Sequence, residues 1–296
     1  MAVERTISPL PSPLCVVGLG LMGGSLARAV KQADRAVRVI AIERNEQVRT
    51  SALREGVVES ASAEPSAALA DCEFAVLCTP VASLEALLGP VSALLPEGAI
   101  LTDVGGAKER ILARAVEAVR RGVGFVGAHP MFGGHGGYAA ARADLWRGGT
   151  VAVCEDAPAW AVEKVSAFHA ALGAEVVRCR ARDHDAAVAM VSHLPYLVAS
   201  ALAVAARDAG PLAMKLAGPG LRDMTRLAQF PFDIQGEVAR RNARLPEMAE
   251  RMSSHLARLL DAIATSPAAA KAALEEARLA REALYPARDA SPGGGR

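Results

Sequence analysis

LCVVGLGLMGGS, residues 14–25, passes from an apolar β-type run into three spaced glycines and on into an alanine-rich helical stretch. Gly18, Gly20 and Gly23 form G-x-G-x-x-G between a strand and a helix. In that setting the first glycine permits a tight turn, the second lets backbone approach a pyrophosphate, and the third brings helix against strand. Leu21 and Met22 open the helix, where free N–H groups hold phosphate oxygens. Alone the pattern is weak, because glycines also mark ordinary turns. The next strand candidate, 37–42, strengthens it by ending in Glu43, 20 residues beyond Gly23. A carboxylate there accepts hydrogen bonds from ribose hydroxyls and repels a 2′-phosphate, which favours NAD over NADP. Arg44 beside it could accept a phosphate and moderates that preference.

Outward from this motif, short β-rich runs at 74–78, 100–104, 124–128, 151–154 and 176–179 alternate with helical stretches at 24–33, 81–95, 107–120 and 158–172. Such alternation implies right-handed crossovers and a mostly parallel, doubly wound Rossmann-type sheet. Two further strand ends, Thr79-Pro80 and Asp103 to Gly105, should border the nicotinamide half of the crevice; a simple turn is the alternative for each. Beyond residue 181 the strand signal stops and helices follow at 183–207, 211–217, 233–243, 246–264 and 267–284. Gly218-Pro219-Gly220 reads as a turn. The expected organisation is an N-terminal extension (1–13), an NAD-binding domain (14–180), an all-helical domain (181–285) and a disordered tail (286–296).

Composition narrows the function classes. With 33 basic and 32 acidic residues in 296, the chain has no cationic field of the kind that holds nucleic acid, so a small-molecule partner is expected. Five cysteines, odd in number and without a C-x-x-C pair, read as free thiols in a reducing cytosol and not as a disulfide or metal framework. The N-terminus has no apolar core of a signal peptide, and a cytoplasmic location is expected. Residues 186–206 carry no Asp, Glu, Lys or Arg and are long enough to span a bilayer. Ser192, His193, Pro195 and Tyr196 interrupt them, however, and a fully buried helix at the core of the helical domain, shared with a second subunit, is the expectation.

Phe125 to Pro130 places His129 at the carboxyl end of a strand candidate, where an imidazole titrating near neutrality could accept a proton. A lone histidine is more often structural. His169 and His255 read as surface residues of amphipathic helices.

GLGLMGGSLA (18–27), DVGGAKE (103–109), GAHPMFGG (127–134), HDAAVAMVSHLPYLVASAL (184–202) and GPGLRDMTRLA (218–228) together resemble the prephenate/arogenate dehydrogenases, in order and across both expected domains. The resemblance implies an NAD-dependent oxidative decarboxylation of prephenate in tyrosine biosynthesis by a homodimer joined through its helical domain. Hydride leaves C4 of a cyclohexadienol while His129 takes the proton of the 4-hydroxyl, and CO2 departs as the ring becomes aromatic. Arg226 matches the family's substrate-binding arginine, with a fork suited to carboxylate. His193, Tyr196 and His184 match positions that border the substrate; for His193 a backbone carbonyl is the alternative partner.

Three departures stand out. Gly106 occupies the place of a serine that helps position the catalytic histidine, and Tyr196 replaces a histidine. Gly134-His135 replaces a small hydroxyl residue and a glutamate. Loss of that carboxylate removes a partner for arogenate's ammonium, and His135 favours an anion, so prephenate is expected over arogenate. Arogenate or an amino-substituted prephenate is the first alternative, and a non-catalytic NAD-binding sensor the second. A β-hydroxyacid dehydrogenase would place its acid–base lysine in the helical domain. Lys215, the only lysine between 165 and 270, lacks that motif.

Overall fold

The computed structural model describes residues 10–134 and 136–285. β1 (Leu14–Val17) is buried along its whole length, as its LCVV sequence requires. It is followed by α1 (Leu21–Ala33), β2 (Val39–Ile42), α2 (Glu46–Arg54), β3 (Ser60–Ser62), β4 (Phe74–Leu77), α3 (Val81–Ser92), β5 (Ile100–Asp103), α4 (Lys108–Ala118) and β6 (Gly124–Val126). The six strands form one sheet in the order β3-β2-β1-β4-β5-β6, with every pairing parallel. β1, β2, β4 and β5 are wholly buried, and separate apolar clusters pack on their alternate residues, so the sheet is covered on both faces.

The run 124–128 is not one strand. The chain leaves the large sheet at Gly127, where a Cβ would fall 2.7 Å from Leu112 Cδ1. It enters a second, three-stranded sheet as β7 (Ala128–Pro130), pairing antiparallel with β8 (Thr150–Cys154), which pairs parallel with β9 (Glu175–Cys179). His129 is therefore the middle residue of β7, opposite Ala152, and does not end a strand of the large sheet. α5 (Ala159–Ala171) packs beside β6, β8 and β9.

After Cys179 only helices follow among the described residues: α6 (Ala181–Val188), a π-helical turn Ala189–His193, α7 (Leu194–Asp208), α8 (Pro211–Leu216), α9 (Pro219–Thr225), a second π-helical turn Phe232–Gly236 and α10 (Glu237–Arg241). The first compact unit ends at Leu245 and a second begins at Pro246. The latter carries α11 (Leu245–Thr265) from its second residue on and α12 (Pro267–Leu284), which is capped by Ser266, whose hydroxyl accepts from Ala269 N.

Several expectations change. α2 follows from an Asn45 cap, which accepts from the N–H of Gln47 and Val48, and it had no strong apolar period to reveal it. β3, Ser-Ala-Ser, is a polar edge strand. Gly218-Pro219-Gly220 opens α9, with Pro219 at its first turn, where a missing N–H does no harm. The 186–206 segment is not buried within the chain: α6 to α7 is long and apolar enough to cross a membrane by length and composition, yet only 28% of its most apolar window is buried. His169 is fully buried, with its Nδ1 accepting from Trp146 Nε1 at 3.1 Å, and burial lowers its pKa to about 3. All five cysteines are free, with Cys15, Cys72 and Cys154 buried. The tail 286–296 and most of the N-terminal extension lie outside the described residues.

Candidate active site

The loops after β1 and β4 meet where the strand order reverses, the crevice in which open α/β sheets bind ligands. Each glycine of the fingerprint has its own reason. Gly18 adopts φ +90°, and its Cβ would lie 2.7 Å from Thr79 Cγ2. Gly23 presses α1 so closely on the turn that a Cβ would sit 1.8 Å from the Gly18 carbonyl oxygen. At Gly20 a Cβ would meet nothing within 4 Å, so this side of the loop is open. The buried Thr79 hydroxyl has no hydrogen-bond partner among the described residues. Pro80, exposed, is the N-cap of α3.

Glu43 is held at the end of β2 beside this loop. Its Oε2 accepts from Leu19 N at 2.7 Å and its Oε1 from Asn45 N at 2.8 Å. Arg44 is exposed and lies 3.5 Å from Glu64. An open backbone loop, a fixed carboxylate on the neighbouring strand and an orphaned hydroxyl form a set that fits a dinucleotide.

Leu21 and Met22 occupy the first turn of α1, and the chain beyond His129 lies across them. Cβ atoms at Gly134 and Gly133 would come within 3.4 Å of Leu21 Cδ2 and 3.6 Å of Met22 Sδ. The glycine loop and the strand bearing His129 thus border one another. His135 itself lies outside the described residues.

Asp103 and Gly105, expected at the nicotinamide side of the crevice, are both buried. Asp103 is fully buried; its Oδ2 accepts from Gly105 N at 2.8 Å and from Lys108 Nζ, and its Oδ1 accepts from Ala128 N at 3.2 Å. Lys108, also fully buried, donates to Ala128 O at 2.7 Å. A buried ammonium requires a counter-charge, and Asp103 supplies it. The pair ties α4 to the start of β7.

His129 is half-buried. Its Nδ1 lies 2.9 Å from Nε2 of His184, whose own Nδ1 lies 2.7 Å from Asp185 Oδ1. Among the described residues nothing bonds to Nε2 of His129. Burial holds its pKa well below the usual imidazole value, helped by the nearby His184, Lys108 and His193. Gly106 passes close by: a Cβ there would lie 3.5 Å from His129 Nε2 but 2.7 Å from Val238 Cγ1 of α10. His184, expected to border the substrate, is buried and bonded at both nitrogens, so it stands behind His129.

His193, the last residue of the π-helical turn, is buried, and its Nδ1 accepts from Asn242 Nδ2 at 3.1 Å. Burial lowers its pKa to about 4 against the opposing pull of Asp185. Asn242 also donates to Asp185 O at 2.7 Å. Tyr196 is half-buried in the first turn of α7. Arg226 begins a short turn packed on α7, exposed and without an ion-pair partner among the described residues. Lys108, Asp185 and Asn242 escaped the sequence reading. The first two lie inside motifs quoted for other residues, and Asn242, in an arginine-rich stretch, carries no signal of its own.

Two family models match the chain consecutively. Residues 26–178 match the nucleotide-binding domain of prephenate dehydrogenase, and residues 180–274 match its dimerization domain. The chain belongs to the prephenate dehydrogenase family. A prephenate dehydrogenase of Bacillus subtilis is 27% identical over 229 residues, 75% of this chain and 62% of that protein, so the chain spans less than two thirds of that relative. The arogenate dehydrogenase structure from Synechocystis superposes with a TM-score of 0.80 at 27% identity, covering 92% of this chain and 99% of that one. The Aquifex aeolicus prephenate dehydrogenase, solved with hydroxyphenyl propionate and NAD+, has the same fold, with a TM-score of 0.83 at 22% identity over 92% and 98% of the two chains. Membership fits a Rossmann-type domain followed by helices.

Proposed function

We propose that this member of the prephenate dehydrogenase family oxidises prephenate with NAD, releasing CO2 and 4-hydroxyphenylpyruvate. The observation that carries the reading is the unbonded Nε2 of His129 in a strand whose continuation lies across the glycine-loop helix. Gly18, Gly20, Leu21, Met22 and Gly23 would hold the pyrophosphate, Glu43 the adenosine ribose, and Thr79 and Pro80 the nicotinamide side, with Asp103 and Gly105 shaping the loop from within. NAD held there would supply the acceptor for the hydride of C4.

His129 takes the proton of the 4-hydroxyl on Nε2 as the C4–H bond breaks. The carbonyl that forms draws electrons from the bond to the ring carboxylate; that bond breaks and CO2 leaves as the ring becomes aromatic. A depressed pKa keeps His129 unprotonated and able to accept. Arg226 supplies the cation for a substrate carboxylate, with Tyr196 on the neighbouring α7 and His193 in the π-helical turn just before that helix as further substrate contacts. The exposed apolar face of α7 supports a homodimer through the helical region, the buried polar groups of α6 support a water-soluble protein, and the free cysteines support a cytoplasmic one.

The test is NADH formation with prephenate and with arogenate, each with NAD and with NADP. Turnover on prephenate with NAD supports the whole reading. Turnover on arogenate alone keeps the mechanism and overturns the substrate, and silence on both overturns the proposal in favour of an amino-substituted prephenate or a non-catalytic sensor. In the active case, His129→Asn should lower kcat by about two to four orders of magnitude, as for loss of a general base; an unchanged kcat removes His129 from that role.

A further inference from the structure

We infer that His184 and Asp185 form a positioning dyad that sets the tautomer of His129, taking over the orienting task that Gly106 cannot perform. The inference rests on the proposed role of His129 as the base. Its geometry is a three-member line: Asp185 Oδ1, then His184 Nδ1 at 2.7 Å, then His184 Nε2 and His129 Nδ1 at 2.9 Å.

Asp185 fixes the direction of this line. Its carboxylate accepts from the N–H groups of Lys108 at 2.8 Å and Glu109 at 2.9 Å, at the start of α4. Burial alone would raise its pKa, but the bonds from His184 and from these two N–H groups hold it below the usual carboxylate value. A charged carboxylate is only an acceptor, so Nδ1 of His184 carries a proton. In the neutral ring Nε2 is then an acceptor, and Nδ1 of His129 must donate to it. The lone pair of His129 is thereby left on Nε2, the edge with no protein partner.

The line is rigid because His184 and Asp185 are each anchored at least twice. Asp185 bridges α6 and α4, and its backbone carbonyl accepts from Asn242, which also holds His193. His184 and Asp185 are 3% and 1% exposed, so water does not compete for these bonds. On the other edge of His129, Val238 fills the space a residue 106 side chain would need. Orientation therefore comes from the Nδ1 side.

The dyad also answers an electrostatic difficulty. Lys108, His184 and His193 all disfavour an imidazolium at 129. When His129 accepts a proton on Nε2, its Nδ1–H still points at His184, with the Asp185 charge directly behind. The new positive charge then faces a carboxylate through one polarisable ring, while Asp103 is already engaged by Lys108.

The experiment compares the full-length wild type with His184→Leu and His184→Gln, by steady-state kinetics and by NMR of ¹⁵N-labelled histidines. Leu removes both bonds; Gln can accept from His129 through its amide oxygen and donate to Asp185 through its amide nitrogen. The expected result is a wild-type His129 protonated at Nδ1 and free at Nε2. The Leu variant should lose that tautomer and about a hundredfold in kcat, with KM for both substrates within about twofold. Gln should restore the tautomer and most of kcat. A Leu variant with wild-type tautomer and kcat overturns the inference, as does a loss of activity and melting temperature that Gln does not repair. If the wild type turns over neither prephenate nor arogenate, the proposed function fails, while the tautomer of His129 in wild type and Leu variant still decides the dyad.

Discussion

Gly20 and Gly23 look alike in the sequence and should behave oppositely on substitution. Gly20 has φ −72°, which alanine tolerates, and its Cβ would point into open space. Gly20→Ala should fold with wild-type stability and raise the KM for NAD, because the methyl occupies the backbone face meant for pyrophosphate. Gly23→Ala drives a Cβ into the Gly18 carbonyl and should lose thermal stability as well. Thermal melts beside NAD titrations separate the two; equal melting temperatures would refute the packing role of Gly23. The pH profile belongs to this scale too. His129 has its pKa lowered, so its base form persists as the pH falls. In the free enzyme, kcat/KM should hold through the ordinary imidazole range and decline only below it, and an acid limb at or above pH 6.5 would contradict the burial of His129. Arg226→Ala should mainly raise the KM for prephenate, read in the same assays.

Among the elements, α4 illustrates what a sequence pattern reveals and what it hides. Its amphipathic spacing marks a helix, but nothing in Asp103-Val104-Gly105-Gly106-Ala107-Lys108 announces that the lysine points inward. The fold places Lys108 at no exposure between Asp103 and Ala128 O, so the loop expected beside the cofactor also carries an internal clamp. Lys108→Met leaves the Asp103 charge buried and uncompensated and should destabilise by about 3–5 kcal/mol in denaturant melts. Double replacement of Lys108 and Asp103 by apolar residues should recover part of that loss. The glycine fingerprint, Glu43 and the strand runs were legible because each has a local reason in spacing or hydropathy. The break at Gly127, the polar strand β3 and the His184–Asp185 line were not, because long-range packing creates them.

For the whole molecule, the open question the fold poses is what covers α7. Leu197 and Val204 are 40% and 49% exposed, seven residues apart and so on one face, and Ala201 between them is exposed as well. A bilayer would cover such a face, but α6 and the π-helical turn that precede it carry His184, Asp185 and His193 in a buried network with Asn242 and the backbone of α4. Inserting a charged side chain at a bilayer centre costs about 2.5–3.5 kcal/mol on insertion scales, and pulling Asp185 from the α4 N-terminus would add to that. The family model covering 180–274 describes a dimerization domain, and a second copy of the chain meets the same need without breaking the network. Leu197→Asp combined with Val204→Asp should therefore convert a dimer to a monomer in sedimentation velocity without detergent. A wild type that sediments as a monomer, or that is recovered only with membranes, would refute the dimer, and a dimer unmoved by both aspartates would relocate its interface away from α7.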